Sequence, residues 1–369
     1  MNSRIVYILI PLLIFITSFL VYLPSLKNSF VWDDQILIER SYKKFKNVNF
    51  ERLFFPKERK VNKTSYYRPI IRSSLTADYV VWKENSFGYH LTNNLFFSLT
   101  AVAFYLLALL IFRQFKKRNN LVFPVTAASL VFIMHPMHVE TVSWIVGRTD
   151  LFCAFFLILA LITHIQSNKY FFIFLSPVFF LLSLMSKEVA VTFPFIAVFY
   201  DILARRYRRC NMILIAVYFL ILALYIYMRI RSFVNTTTLD ISQGSSTSSP
   251  SGESLNLIAE SITILVSSLG IYLEKLLLPL NFNAYIPEVS TKPVNLVPAI
   301  ILTVVTVSAF IFGLIKKYYV LSLSIFITLI TLGPSLLLSV MSIAATPVAE
   351  RYLFIPSIGY SLLIGLIFF

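Results

Sequence analysis

Cysteine and histidine are scarce in this chain. Two cysteines and four histidines in 369 residues leave little material for a disulfide framework or a zinc centre. Cys153 falls inside an apolar run and Cys210 in a basic loop, so no disulfide is expected between them. Charge is thin as well: 13% of residues are charged against 58% hydrophobic, an apolar excess that excludes an ordinary soluble domain. No internal repeat is visible, which argues against a solenoid and against a transporter built from inverted halves. Acidic residues are the scarcer sign, with 17 Asp and Glu against 32 Lys and Arg and a net charge of +15. Such a balance suits anionic lipid headgroups or a phosphate-bearing substrate. Nucleic acid is not expected as a partner, because the basic residues are divided among short loops.

What is present is a succession of apolar runs, at 5–23, 95–112, 121–134, 151–166, 170–186, 189–200, 211–228, 294–315, 318–341 and 356–369. A bilayer admits only helices or closed barrels, and these runs are too long and continuous for barrel strands. The fold class is therefore all-α, a polytopic integral membrane protein of about 10–11 transmembrane helices in one domain over 1–369. The first run, Ile5 to Leu23, reads as a retained anchor, since no small-residue cleavage site follows it. The last run stops without a closing basic residue, from which a C-terminal region is expected to be missing.

The basic loops Arg113–Arg118, Arg205–Arg209 and Lys316-Lys317 orient the chain when all are placed in the cytoplasm with the N-terminus. The first loop, 24–90, then faces the other side together with His135 to Asp150, Lys187-Glu188, 232–293 and 347–356. Ser254 to Leu280 holds an uncharged stretch of only 13 residues between Glu260 and Glu274, so a re-entrant or interfacial helix is expected there, without a crossing. Phe50–Phe55 and Ile70–Val81 read as amphipathic helices on the membrane surface. The stretch 235–254 is low in complexity, and the triplets Asn62-Lys63-Thr64 and Asn235-Thr236-Thr237 both lie on the external side of this arrangement.

The ionisable residues concentrate on that side. Asp33-Asp34 follows the first span by about ten residues. Two adjacent carboxylates resist joint ionisation, so a membrane-proximal pair points to a base, a ligand or an ion site. Arg68, beside Pro69, is suited to bidentate phosphate or carboxylate contact. His135-Pro136-Met137-His138-Val139-Glu140 has ligand-type residues but no complementary cluster, and no metal site is assigned. Arg148, Asp150, Lys187-Glu188 and Glu350-Arg351 sit at the lips of apolar runs, where charges face a cavity or each other. Such a cavity suits a lipid-linked sugar phosphate. Cations neutralise the departing phosphate, and one carboxylate deprotonates an incoming hydroxyl, inverting the anomeric centre.

The pieces Trp32-Asp33-Asp34, Tyr67-Arg68-Pro69, Gly88-Tyr89-His90-Leu91-Thr92-Asn93, the run His135 to Asp150, Lys187-Glu188 and Glu350-Arg351-Tyr352-Leu353-x-Ile355-Pro356-Ser357 together resemble the transmembrane-and-tetratricopeptide-repeat proteins. These are GT-C glycosyltransferases related to protein O-mannosyltransferases. The resemblance implies inverting transfer of a sugar, typically mannose, from a polyprenyl or dolichyl phosphate to a Ser or Thr hydroxyl of a protein. It places the base at Asp33 or Asp34. Position adds Arg68, Lys187 and Arg351 as holders of the phosphate, and His90, His138, Glu140, Arg148, Asp150, Glu188 and Glu350 as further substrate-binding residues. A divalent cation stays open as a cofactor, since an acidic pair binds one while a lone base needs none. The chain departs from the family at Phe97 and Thr100, where a His and an Asn are frequent, and it contains no tetratricopeptide repeat. A lipid or glycan acceptor and a transporter or flippase of lipid-linked substrates are the competing readings. The membrane is that of a bacterial or archaeal cell with an external site, or the endoplasmic reticulum with a lumenal one.

Overall fold

The computed structural model describes residues 3–38, 67–116, 121–167, 170–237, 251–280, 282–283, 289, 293–341 and 348–369. The expected helix at 50–55, the triplet at Asn62 and most of the low-complexity stretch lie outside them. The described residues form helices joined by 3-10 turns and short loops. In chain order these are α1 (Ser3–Val21), α2 (Asp33–Leu37), α3 (Pro69–Trp82), α4 (Ser86–Phe115), α5 (Val122–Met134), α6 (His138–Ser143), α7 (Arg148–Ile165), α8 (Tyr170–Leu184), α9 (Phe193–Ala204), α10 (Arg209–Thr237), α11 (Ser251–Leu277), α12 (Pro293–Ile315), α13 (Tyr319–Met341) and α14 (Pro356–Ile367).

Five stretches are long and apolar enough to cross a bilayer: 86–115, 145–165, 209–230, 296–315 and 319–341. Shorter apolar helices cover 9–21, 122–134, 170–184 and 356–367. The run 189–200 does not form one span. It divides into a 3-10 turn, Glu188–Thr192, and the 12-residue α9, because Pro194 near the start of α9 fits a first helical turn better than a helix interior.

Helix α4 is the axis of the bundle and packs against α1, α3, α5, α6 and α7. Asn85 caps its start, accepting the Phe87 N–H at 3.1 Å, which satisfies one of the orphan donors of the first turn. Phe97 and Thr100, where the family pattern is broken, both point into the packing. Phe97 is fully buried among Tyr22, Phe132, His138 and Phe354, and Thr100 donates back to the Phe96 carbonyl. These positions fill core space and do not line the cavity described below. Elsewhere hydroxyls join helices across apolar faces. Ser176 donates to the Ala160 carbonyl and Ser183 to that of Cys153, drawing α8 onto α7. Gly359 of α14 lies where any Cβ would collide with the Ser324 carbonyl of α13, so that approach demands glycine. Cys153 and Cys210 are free thiols.

Aromatic contacts fix the two ends. Phe115 meets Tyr200 and Tyr319, and Phe112 and Lys116 meet Phe369, so the C-terminal ends of α4, α9 and α14 and the start of α13 share one end. The basic residues Arg113, Arg205–Arg209 and Lys316-Lys317 belong to this end. Helix α10 leaves it at Asn211, beside Asp201, and reaches Glu188 at the opposite end through Arg229. Helix α11 finishes at that opposite end, where Lys275 meets Glu350. The helix itself is longer than the uncharged stretch suggested. It runs unbroken for 27 residues because Glu260 and Glu274 are exposed on its surface and leave its backbone ladder intact.

At the basic end a buried polar network ties four helices together. Ser176 Oγ donates to the Ala160 carbonyl, so its 2.6 Å contact with Tyr218 Oη uses the phenol proton. The 3.1 Å contact between Tyr218 Oη and His164 Nδ1 then requires a proton on Nδ1. His164 Nε2 lies 3.3 Å from Asp201 Oδ1. Asn211 donates to both Asp201 oxygens, and Arg206 donates to the His164 carbonyl and to Ser167 Oγ.

Candidate functional site

The site end is built where α2, α3, the turn before α7, Lys187-Glu188 and the turn before α14 meet. Asp33 and Asp34 open α2, and their environments differ sharply. Asp33 is exposed and Asp34 is fully buried. One Asp34 oxygen accepts the Val31 N–H at 3.2 Å, and the other accepts the Val146 N–H at 3.1 Å from the turn Ile145–Gly147. Asp34 thus fastens the first loop to the segment ahead of α7. Burial pushes its carboxyl up to about 6, against the opposing pull of these backbone donors and of Arg148. The residue before the pair, Trp32, holds φ at 50° and ψ at −121°, a backbone region that disfavours any side chain. Its ring meets Trp144 edge-on at 6.0 Å.

Beneath this loop sits Arg148, with no exposed surface. Its guanidinium donates to Asp78 at 2.7 Å, to Asn93, to Ser74 and to the Tyr89 carbonyl, while Thr92 donates to the other Asp78 oxygen. Asn93 also donates to the carbonyls of Trp144 and Ile145. The result joins α3, α4 and α7 into one floor. Gly147 is required here, because a Cβ would strike the Thr141 carbonyl.

The other charged residues singled out in the sequence are paired. Lys187 holds both oxygens of Asp150 at 2.6 Å. Glu188 lies between Arg68 and Arg229, each at 2.8 Å. Burial pushes Glu188 up, but Arg68 and then Arg229 outweigh it and hold the carboxyl at about 2. Glu140 accepts from the Arg351 side chain at 2.6 Å and from its backbone N–H at 3.0 Å. Glu350 accepts from Lys275 and from the Asn283 N–H. Lys187 and Arg351 both approach the Tyr352 ring, at 5.1 and 5.2 Å from its centroid, and Arg351 also lies 5.3 Å from the Trp144 ring.

A cavity of about 420 Å³ opens beside the acidic loop. Its wall includes Asn28, Trp32, Glu140, Trp144, Phe282 and Glu350. The structure thus brings Glu140 and Glu350 to one cavity, with Arg351 directly behind, and sets the Asp33-Asp34 loop at its edge. Neither Asp33 nor Asp34 forms its wall. His90, Arg148 and Asp150 are buried in the floor. His138 is packed among Phe97, Phe132 and Phe354 and meets Ser357 Oγ at 3.0 Å, in a core position. Arg68, Lys187 and Glu188 lie with the ion pairs away from the wall. Among the described residues no three of His, Cys, Asp and Glu are grouped so as to hold a metal ion.

Sequence reasoning passed over Asp78, Arg229 and Lys275, and gave no role to Trp32, Trp144 and Tyr352, which it quoted only within motifs. A signal existed for some of them. Asp78 is the one acid in the amphipathic stretch 70–81, and Arg229 and Lys275 close apolar runs. Nothing local marks the two tryptophans as partners.

The fold and site thus define an all-α polytopic membrane protein with paired charges gathered around a cavity at one end. The chain is similar to protein O-mannosyl-transferase F38B6.6 of Caenorhabditis elegans, 28% identical over 201 residues that make up 53% of this chain and 28% of the relative. It is similar to protein O-mannosyl-transferase Tmtc1 of Drosophila melanogaster, 30% identical over 183 residues, 47% of this chain and 20% of the relative. To protein O-mannosyl-transferase TMTC3 of Mus musculus it is 30% identical over 103 residues, 28% of this chain and 10% of the relative. The matched stretch therefore spans from a tenth to little over a quarter of these relatives' length. No family model matches, and no solved structure is significantly similar. The names of these relatives are those of the family that the motifs resemble.

Proposed function

We propose that the chain carries the catalytic membrane domain of an inverting glycosyltransferase, moving a sugar, typically mannose, from a polyprenyl or dolichyl phosphate to a Ser or Thr hydroxyl of a protein. The observation that carries this reading is the Asp33-Asp34 loop, pinned by Asp34 at the edge of a cavity whose end of the bundle also gathers Arg68, Lys187 and Arg351. Asp33 is accessible and is the base. Asp34 spends both oxygens on backbone donors and positions the loop.

In the step, Asp33 takes the proton of the acceptor hydroxyl, whose oxygen forms the new bond to the anomeric carbon. The bond from that carbon to the phosphate oxygen breaks on the opposite face, and the lipid phosphate leaves with the electron pair. Phosphate needs no general acid, because its second pKa lies near 6. Arg68, Lys187 and Arg351 offset the charge that develops on it. The site faces the exterior of a bacterial or archaeal cell or the lumen of the endoplasmic reticulum, opposite the basic end. Names of the relatives and the paired cations support this reading.

The test is sugar transfer by the purified chain in nanodiscs, from polyprenyl-phosphate-mannose to a Ser/Thr-rich peptide, with and without chelator. Transfer by the wild type that is lost in Asp33→Asn supports it. Transfer that survives Asp33→Asn and Asp34→Asn refutes it, and loss on chelation would require a divalent cation as cofactor.

A further inference from the structure

We infer that Trp32 is a positioning residue, held in a backbone conformation proper to glycine so that Asp33 is presented in one orientation at the edge of the cavity. The inference rests on the transferase reading, which makes Asp33 the base.

Val31, Trp32, Asp33 and Asp34 form a tight turn, closed by the Asp34 N–H, which donates to the Val31 carbonyl at 3.0 Å. The Trp32 angles, φ 50° and ψ −121°, are those of the first central residue of a type II′ turn, a place that glycine dominates because a side chain is crowded there. A tryptophan keeps such a conformation only where its surroundings over-determine it. The Asp34 carboxylate closes the turn a second time, accepting the Val31 N–H at 3.2 Å, and its other oxygen accepts the Val146 N–H at 3.1 Å. The Trp32 ring meets Trp144 edge-on at 6.0 Å. The neighbours of Asp33 on both sides are therefore fastened to one segment, 144–146. Asn93 holds that segment in turn, donating to the Trp144 and Ile145 carbonyls while accepting from Arg148 Nε. The clamp thus ends on the buried floor.

Asp33, between these fastened neighbours, is exposed, so the turn sets where its carboxylate points. A base must stand within hydrogen-bond reach of the hydroxyl it deprotonates, and a displacement of about 1 Å can cost about 10²-fold in rate. Glycine in place of Trp32 would relieve the strain, but it would also open other turn conformations and lower the fraction of molecules with Asp33 in place. The same turn recurs away from the cavity. Between α3 and α4, Lys83 holds φ at 51° and ψ at −114°, and the Asn85 N–H donates to the Trp82 carbonyl at 3.0 Å. Lys83 is exposed and carries the same backbone strain with no base attached to it, which makes it a control.

The experiment has two arms, both on the full chain in nanodiscs. The first is thermal unfolding. Glycine ordinarily gives a less stable protein than alanine, and that order is expected to reverse where φ is positive. Trp32→Gly should unfold at a higher temperature than Trp32→Ala, and Lys83→Gly at a higher temperature than Lys83→Ala. The second arm is mannose transfer from polyprenyl-phosphate-mannose to the Ser/Thr-rich peptide. Trp32→Gly should lower kcat about tenfold with KM unchanged. Trp32→Phe, which keeps a ring for Trp144, should retain most of the turnover, and Lys83→Gly should retain all of it. Added to Asp33→Asn, Trp32→Gly should cause no further loss of the residual transfer, because a residue that acts only through Asp33 has nothing left to position. Alanine more stable than glycine at position 32, or a kcat loss that adds in full to that of Asp33→Asn, overturns the inference and leaves the reaction standing. A raised KM with kcat kept makes Trp32 a binding residue and overturns it too. Absence of transfer by the wild type removes the transferase reading, and the role of Trp32 with it.

Discussion

At the site end of the bundle the pairs around Glu188 and at Arg351 are part-exposed, whereas Lys187–Asp150 and Lys275–Glu350 are nearly buried. The side chains of Arg68, Glu188, Arg229 and Arg351 are 19%, 20%, 28% and 22% exposed. At the basic end His164 has no exposed side-chain surface and Asp201 has 5%. Both ends hold charge among apolar helices, yet they spend it differently. A part-exposed pair can exchange its partner for a ligand at small cost, because water screens and replaces what is lost. The network of Ser176, Tyr218, His164 and Asp201 is buried, so an exchange there would leave a buried charge without compensation. Arg148 belongs in kind with the basic end, although it lies under the acidic loop.

The sharpest way to break this comparison is Asp33→Asn. Removing a general base should lower transfer about 10²–10⁴-fold. Because Asp33 is exposed, the thermal unfolding midpoint in detergent should not move. A loss of activity matched by a loss of stability would assign Asp33 to the structure instead. Next in size are Asp201→Ala and Arg148→Ala, at opposite ends but equally buried. Each should destabilise the fold by about 3–5 kcal/mol, since a charged partner is left behind. For Asp201→Ala the turnover per folded molecule should be unchanged, and a turnover defect would mean that the basic end reaches the reaction.

Arg68→Ala should behave in the contrary way. Glu188 keeps Arg229, so stability should change by less than about 1 kcal/mol. With the lipid-phosphate donor, kcat and kcat/KM should both fall about tenfold, as expected for a lost contact to charge that develops in the transition state. An unchanged kcat would leave Arg68 a purely structural partner of Glu188.

The gentlest perturbation is pH. Transfer should fall as the pH drops through about 6, where Asp34 takes up a proton and weakens its hold on the Val31 and Val146 donors. Glu188, held at about 2, stays ionised throughout, so this limb belongs to the loop and not to the arginine pairs. The effect on stability has the opposite sign. The folded-state pKa is raised above the ordinary 3.8, so Asp34's contribution to stability is full below that value and is lost as the pH rises through about 6. Activity and stability profiles that fall together on acidification would contradict this assignment.

Much of the architecture was legible from apolar runs alone, because a bilayer leaves helices as nearly the only way to pair their backbone groups. The end assignment was legible too, since Lys and Arg cluster at Arg205–Arg209 and Lys316-Lys317 in loops that the helices return to one end. The length of α11 was less so. An uncharged stretch measures what can sit in lipid, whereas Glu260 and Glu274 on the helix surface cost its backbone nothing. Within the site, Lys187, Glu188, Glu350 and Arg351 stood out because charges beside apolar runs are costly. His138 stood out as a ligand-type residue beside His135 and Glu140, and its ring is enclosed in the core by Phe97, Phe132 and Phe354.

The sequence by itself determined that this protein is a bundle of apolar helices, that the charged residues of its motifs border apolar runs, and that those motifs resemble those of protein O-mannosyl-transferases. These follow from composition and order, which local chemistry reads directly. Only the tertiary structure decided which acid of the pair is accessible, which cation answers which carboxylate, and that Trp32 and Trp144 close one cavity with Glu140 and Glu350. Those outcomes depend on contacts between residues far apart in the chain, from Lys187 with Asp150 to Glu140 with Arg351, and no local pattern encodes a distance across a folded bundle.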